Sequence, residues 1–98
     1  MKLTPKKIIS ALESRRTDIG QFGVKRIGLF GSFQKGKARK ASDLDFLVEF
    51  RKQTFDNYMG LKFFLEHLFR RKVDLVIEST LKPALSYVKK EAVYVRGI

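Results

Sequence analysis

Residues 43–50 alternate strictly between two sets of side chains. Because successive side chains of a β-strand point to opposite faces, a period of two predicts a strand with one apolar face. The apolar face would carry Leu44, Phe46, Val48 and Phe50, and the opposite face Asp43, Asp45, Leu47 and Glu49. The fold must therefore accommodate two neighbouring carboxylates that point the same way at the start of this strand.

The rest of the chain predicts helices and strands in alternation. Thr4 and Pro5 have the chemistry of an N-cap and a first helical position, and we expect that helix to reach about Arg16. Gly20 and Gly23 interrupt the helical pattern. Besides the strand over 43–50, the sequence then predicts a strand over 24–30, a loop with at most one helical turn over 32–42, a long amphipathic helix over 58–69 and a strand over 73–78. A helix that begins near Ser79 or Thr80 and contains Pro83, Leu85 and Val88 follows, and then a short strand over 92–95.

This order predicts an α/β (α+β) fold with three to four strands in a sheet that helices cover. At 98 residues with 44% hydrophobic composition, we expect a single domain over residues 1–98. The chain has no cysteine, which excludes disulfides and thiolate metal sites and fits a reducing cytoplasm. No run of 18 apolar residues predicts a membrane span, and the amino-terminal residues do not resemble a secretion signal.

The formal net charge of +11 would attract polyanions, including RNA, DNA and nucleotide phosphates. Charge alone does not choose among them, since scattered lysines and arginines also simply solvate a surface.

Chemistry concentrates between the first two predicted strands, where Gly31-Ser32 is followed after ten residues by Asp43-Leu44-Asp45. Two carboxylates roughly 4 Å apart repel by about 4 kcal/mol at an effective dielectric near 20, and a bound divalent cation would reverse that cost. Oxygen ligands alone favour magnesium or manganese over zinc.

A third carboxylate, Asp74, interrupts the apolar run of a later strand. If that strand lies beside the first carboxylate pair, Asp74 completes a site that binds metal and triphosphate. Gly31 allows a tight turn and close backbone approach, and the Ser32 hydroxyl can donate to a phosphate oxygen.

Simpler interpretations of these residues remain open. The two earlier carboxylates could lie on a solvated strand end, and Ser32 could be only a turn residue or a helix cap. Asp74 could instead pair with Arg70, Arg71 or Lys72.

Gly31, Ser32, Asp43 and Asp45 together resemble the Gly-Ser, spacer, Asp-x-Asp motif of the minimal nucleotidyltransferases of the DNA polymerase beta superfamily. Gly36, Ser42 and the apolar run 46–48 also look like this family, and Asp74 falls where its third carboxylate is expected. The resemblance covers essentially the whole chain.

The resemblance implies a polymerase beta palm-like fold with a small mixed sheet. It also implies a magnesium-dependent nucleotidyltransferase, with manganese as a substitute and ATP or another nucleoside triphosphate as donor. Asp43, Asp45 and Asp74 would be the catalytic and metal-binding residues. Gly31, Ser32 and Lys35 would bind the nucleotide phosphates.

The resemblance further implies a helical HEPN protein as partner, in a toxin–antitoxin pair in which AMP is transferred to a tyrosine of that partner. We expect no second domain to form a base pocket, so the acceptor and the base preference stay open, as does homo-oligomerisation. The spacer is more basic than the motif requires and could serve triphosphate, partner or nucleic acid, through Lys35, Lys37, Arg39 and Lys40.

Other residues have plainer interpretations. His67 has no second histidine or cysteine nearby, so we expect a surface or partner-facing position. Glu49 and Glu78 are expected at the surface, and Phe63 and Phe69 in the core unless they mark an interface.

Two functions compete with the enzyme. One is a non-catalytic antitoxin that acts by contact, which the intact aspartates argue against. The other is a basic nucleic-acid-binding domain, for which the sequence offers charge but no stacking motif and no helix-turn-helix pattern.

Overall fold

A computed structural model describes residues 3–39 and 42–98 of the chain. Its centre is a sheet in the order β3-β2-β1-β4. Strand β2 pairs antiparallel with β1 and parallel with β3, and β1 pairs antiparallel with β4. This mixed sheet confirms the predicted fold class. The strands are β1 (Val24–Phe30), β2 (Leu44–Phe50), β3 (Val73–Ile77) and β4 (Val93–Tyr94).

The helices are α1 (Pro5–Ser14), α2 (Arg16–Gly20), α3 (Gly31–Gln34), α4 (Phe55–Phe69) and α5 (Tyr87–Glu91), with 3-10 turns at Glu78–Thr80 and Pro83–Leu85. The first helix is shorter than predicted because Arg15 leaves the helical conformation before α2 begins. The predicted last helix was wrong in extent, since Pro83 lacks an N–H and begins a 3-10 turn instead. Within the described ranges, no helix has the length and apolar character needed to cross a membrane.

Threonines cap the two longer helices. The Thr4 hydroxyl accepts a hydrogen bond from the Lys7 amide at 3.2 Å, as the sequence predicted, and Pro5 opens α1. The Thr54 hydroxyl accepts from the Asn57 amide at 3.0 Å and begins α4. Each cap satisfies an amide that has no partner inside its helix.

The main core lies between one face of the sheet and helices α1, α2 and α4. Phe46 and Val48 of β2 are fully buried there, as are Ile8, Leu12, Ile19, Leu61 and Leu65 of the helices. The alternation in β2 thus predicted its core-facing side correctly. Leu47 faces the opposite side but is also fully buried, because β2 is an interior strand and Leu47 lies between the Cα partners Gly28 and Val76.

Two crossover connections run in opposite directions across the sheet. Helix α4 connects β2 to the parallel strand β3, and residues 78–92 return from β3 to β4 at the other edge, also in parallel orientation. Because such connections are right-handed, opposite directions place them on opposite faces of the sheet. We call residues 78–92 the C-terminal strap; it crosses the face that bears Asp45.

Candidate active site

The motif residues meet at one edge of the sheet. In the strand register, Phe30 is opposite Asp45, and Asp45 is opposite Asp74. Because β1 runs antiparallel to β2 and β3, its carboxyl end meets their amino ends. Gly31, Asp45 and Asp74 are therefore neighbours across three strands, with Asp43 two residues before Asp45.

Gly31 lies directly against the Asp45 side chain. A Cβ at Gly31 would lie 2.9 Å from Asp45 Cγ and 3.1 Å from Asp45 Cβ, and closer still to Oδ2. The φ angle of Gly31 is +77°, a conformation in which side chains are strained. Only glycine fits both demands, so the backbone of the Gly-Ser turn lies close to the carboxylate.

In the group formed by Asp43, Asp45 and Asp74, the Asp45 carboxyl has a raised pKa. Its side chain is half-buried, whereas Asp43 and Asp74 are exposed. Burial, and then the charges of Asp74 and Asp43, raise the pKa of Asp45 to about 6. Among residues 3–39 and 42–98, none of these three carboxylates has an ion-pair partner. Their mutual repulsion is thus uncompensated by protein cations within that range.

The donor set fits a hard cation. Three carboxylates supply oxygen ligands alone, the chemistry that magnesium and manganese prefer. In the part of the chain that the structure describes, no three His, Cys, Asp or Glu side chains are already gathered around one point. The acids are thus near enough to raise the pKa of Asp45 without forming a closed ligand cage.

The turn after Gly31 is compact and partly held by Arg71. The Lys37 amide donates to the Ser32 carbonyl at 2.8 Å, and Phe33 is buried. The Arg71 guanidinium lies 5.0 Å from the centre of the Phe33 ring and donates to the Ser42 carbonyl at 3.1 Å. Arg71 therefore bridges the two halves of the motif, a role that the sequence did not predict.

Lys35 follows α3 at the edge of this turn. Its ammonium group lies 3.4 Å from a carboxylate oxygen of Glu91 at the end of α5, and both side chains are about half exposed. Of the other basic spacer residues, Lys37 and Arg39 are exposed, and Lys40 lies outside the described residues.

Glu78 was predicted at the surface, and that prediction was wrong. Its side chain is 4% exposed, and Arg26 of β1 donates to both of its carboxylate oxygens, at 3.0 Å for Nε to Oε2. Arg26 also pairs with Glu49 at 3.1 Å and lies 4.8 Å from the centre of the Tyr94 ring. Its place in the alternation that includes the exposed Asp74 did not predict this burial, because its partner Arg26 lies 52 positions earlier in the chain.

Three further residues follow the sequence in part. His67 is exposed, as expected. Phe69 packs against the core with its ring 6.0 Å from that of Phe46, whereas Phe63 is 59% exposed. Phe63 is therefore a candidate for contact with a partner.

Comparisons with known proteins identify the family of the chain. The family model "Nucleotidyltransferase domain" matches residues 5–95. The protein adenylyltransferase MntA of Thermococcus cleftensis is 38% identical over 96 residues, covering 95% of this chain and 97% of that protein.

Solved structures share the fold. A structure described as a minimal nucleotidyltransferase has a TM-score of 0.72 at 37% identity, covering 87% of this chain and 93% of the other. The complex of an AMPylated HEPN toxin with MNT antitoxin from Shewanella oneidensis matches with a TM-score of 0.63 at 18% identity, covering 92% and 73%, a likeness that shows the fold alone. The chain belongs to the nucleotidyltransferase domain family and is a transferase.

Proposed function

We propose that this protein is a magnesium-dependent adenylyltransferase that transfers AMP from ATP to a hydroxyl group of a HEPN-type partner protein, as the antitoxin of a toxin–antitoxin pair in the cytoplasm. The observation that carries the proposal is the meeting of Gly31, Asp45 and Asp74 in adjacent register. Carboxylates brought together with no ion-pair partner among residues 3–39 and 42–98 are stabilised by a bound cation or a proton.

Each motif residue has a role in the proposal. Asp43, Asp45 and Asp74 would hold magnesium, which would neutralise charge on the triphosphate and on the leaving pyrophosphate. Gly31 lets the backbone approach the phosphates, and Ser32 donates its hydroxyl to a phosphate oxygen.

The reaction is an in-line displacement at the α-phosphate. The acceptor oxygen forms a bond to the α-phosphorus while the bond between that phosphorus and the bridging oxygen to the β-phosphate breaks, releasing pyrophosphate. The acceptor proton passes to Asp74, whose exposed side chain at the start of β3 is accessible to an incoming hydroxyl. Lys35 stabilises the negative charge of the β- and γ-phosphates.

Two comparisons support the donor and the acceptor. The Thermococcus relative is named a protein adenylyltransferase, which indicates AMP transfer to protein. The Shewanella complex pairs an MNT antitoxin with an AMPylated HEPN toxin. Exposed Phe55 and Phe63 on α4, at 77% and 59%, offer apolar surface for such a partner.

The experiment is incubation with labelled ATP, magnesium and a purified HEPN-type partner. Asp43→Asn and Asp45→Asn should each lower transfer on the order of 10²-fold or more, because each removes charge from the site. Asp56→Asn is the matched control, since Asp56 is exposed in the first turn of α4, beyond the end of β2 that is opposite the carboxylates. Transfer that neither site substitution lowers would refute the mechanism.

Neutralisation by contact alone is the second candidate, and the exposed phenylalanines of α4 favour it. It predicts that the Asp45→Asn protein still neutralises its toxin at equal yield of complex. Toxicity that returns with this variant would show that masking is insufficient.

A further inference from the structure

We propose that Glu91 competes with the phosphates of the donor for the Lys35 ammonium group, and so weakens the binding of nucleoside triphosphate and of the product pyrophosphate. This inference rests on the proposed function, in which Lys35 binds the β- and γ-phosphates. It assigns a role to the C-terminal strap, whose residues the motif does not include.

The strap reaches the site through its last helix. Val93 is opposite Leu29 in the β1–β4 register, so α5 ends at the same edge of the sheet as Phe30 and Gly31. At that end the Glu91 carboxylate lies 3.4 Å from the Lys35 ammonium. The ion pair therefore links the strap to the turn that carries Gly31 and Ser32.

The pair is open to exchange. Lys35 and Glu91 are 50% and 45% exposed, and exposed ion pairs contribute little to stability. A triphosphate carries several negative charges and competes for the same ammonium group, whereas Glu91 carries one. The donor therefore displaces Glu91. Because this ion pair must first be broken, the affinity of the protein for the donor is lower than it would be if Lys35 had no partner.

The exchange distinguishes ligands by their phosphates. ATP and pyrophosphate reach Lys35 and compete with Glu91, whereas AMP lacks the β- and γ-phosphates that would do so. After transfer, Glu91 can pair again with Lys35 and favour the departure of pyrophosphate. Glu91 thereby lowers retention of the product without contacting the reacting atoms.

Calorimetric titration tests this with AMP-PNP, pyrophosphate and AMP in the presence of magnesium. Glu91→Gln should bind AMP-PNP and pyrophosphate about two- to five-fold more tightly than the unsubstituted protein, the range that an exposed ion pair supports, and AMP unchanged. Asp56→Asn raises the net charge equally at a distant position and should change none of these affinities.

Lys35→Gln supplies the second arm. It should weaken binding of AMP-PNP. Adding Glu91→Gln to Lys35→Gln should restore no affinity for AMP-PNP, because Glu91 affects binding only through its ion pair with Lys35. Glu91→Ala provides an independent variant, with circular dichroism to verify its fold.

The outcomes separate the two proposals. AMP-PNP bound equally or less tightly by both Glu91 variants would overturn the inference and leave the proposed function intact. A gain that persists without Lys35, or that extends equally to AMP, would also overturn it. Failure of the unsubstituted protein to bind AMP-PNP would overturn the proposed function and this inference with it.

Discussion

Gly31→Ala should separate the cost of backbone strain from the cost of displacing a carboxylate. Gly31 has a φ of +77°, and an added Cβ would lie 2.9 Å from Asp45 Cγ. Ordinary contact begins near 3.4 Å, so Asp45 or the turn must move by about 0.5 Å or more. Gly36 has nearly the same φ, +72°, and no atom of the described residues lies within 4 Å of an added Cβ, so Gly36→Ala is the matched control.

Gly36→Ala should lose about 1–2 kcal/mol of the free energy of unfolding, the cost of a left-handed alanine, and Gly31→Ala should lose more, because its Cβ must also displace Asp45 or the turn. For a domain of this size, that lowers the melting temperature by about 4–8 °C per kcal/mol, measured by circular dichroism. Gly31→Ala alone should lose on the order of 10²-fold in AMP transfer, because misplacing a catalytic group by about 1 Å costs that much.

Transfer of labelled AMP to the HEPN-type partner measures the activity, and calorimetry with AMP-PNP and magnesium provides a readout that needs no acceptor. Wild-type transfer by the Gly31→Ala protein would refute the argument that this glycine is required by Asp45. Equal losses in both variants would show that loop strain, not contact with the carboxylate, is responsible.

Three further predictions follow from charge and burial. Because the pKa of Asp45 is raised, the stability that its protonated form contributes is fully present below pH 3.8 and is lost as pH rises to about 6. Asp45→Asn should therefore stabilise the fold at pH 7.5 by about 1–2 kcal/mol, allowing for solvent access, and by nothing below pH 4. Thermal melts that show no such pH dependence would contradict the assigned cause. Glu78→Gln should lower the free energy of unfolding in urea by about 1–3 kcal/mol, because it breaks the ion pair between Arg26 and a buried carboxylate. Glu49 is the more exposed partner of Arg26, so Glu49→Gln should cost less than about 1 kcal/mol. Equal costs would contradict the burial argument. Because Phe63 is exposed, Phe63→Ser should change the free energy of unfolding by no more than about 0.5 kcal/mol. It should weaken binding to the HEPN-type partner, as measured by surface plasmon resonance. An unchanged affinity would show that Phe63 is not part of the interface.

The sequence predicted the features that depend on local chemistry. Alternation in β2 identified its core-facing side, and the threonine and proline at the start of α1 identified its cap. The position of Asp74 within an apolar strand marked it as exceptional. Each of these signals lies within a few residues of the feature that it specifies. The order of elements predicted a sheet covered by helices, and the family resemblance implied that the sheet is mixed.

What the sequence missed depends on contacts between distant segments. Glu78 is buried because Arg26, 52 positions earlier, pairs with it across the sheet. Arg71 bridges Phe33 and Ser42 rather than pairing with Asp74. Periodicity within one segment carries no information about such partners, so a charged residue is assigned to the surface by default.

The parallel pairing of β2 with β3 makes the position of the third acid sensitive to chain length. Asp74 reaches Asp45 only because the connection through α4 delivers β3 in the right register. One residue inserted between Lys72 and Val73 would exchange the two faces of β3 and turn a carboxylate toward the hydrophobic interior. Residues 37–39 of the spacer before Asp43 lie in a loop, outside the helices and strands, and carry no such restriction. Natural length variation within this architecture should therefore concentrate in that loop and spare the segment that leads into β3.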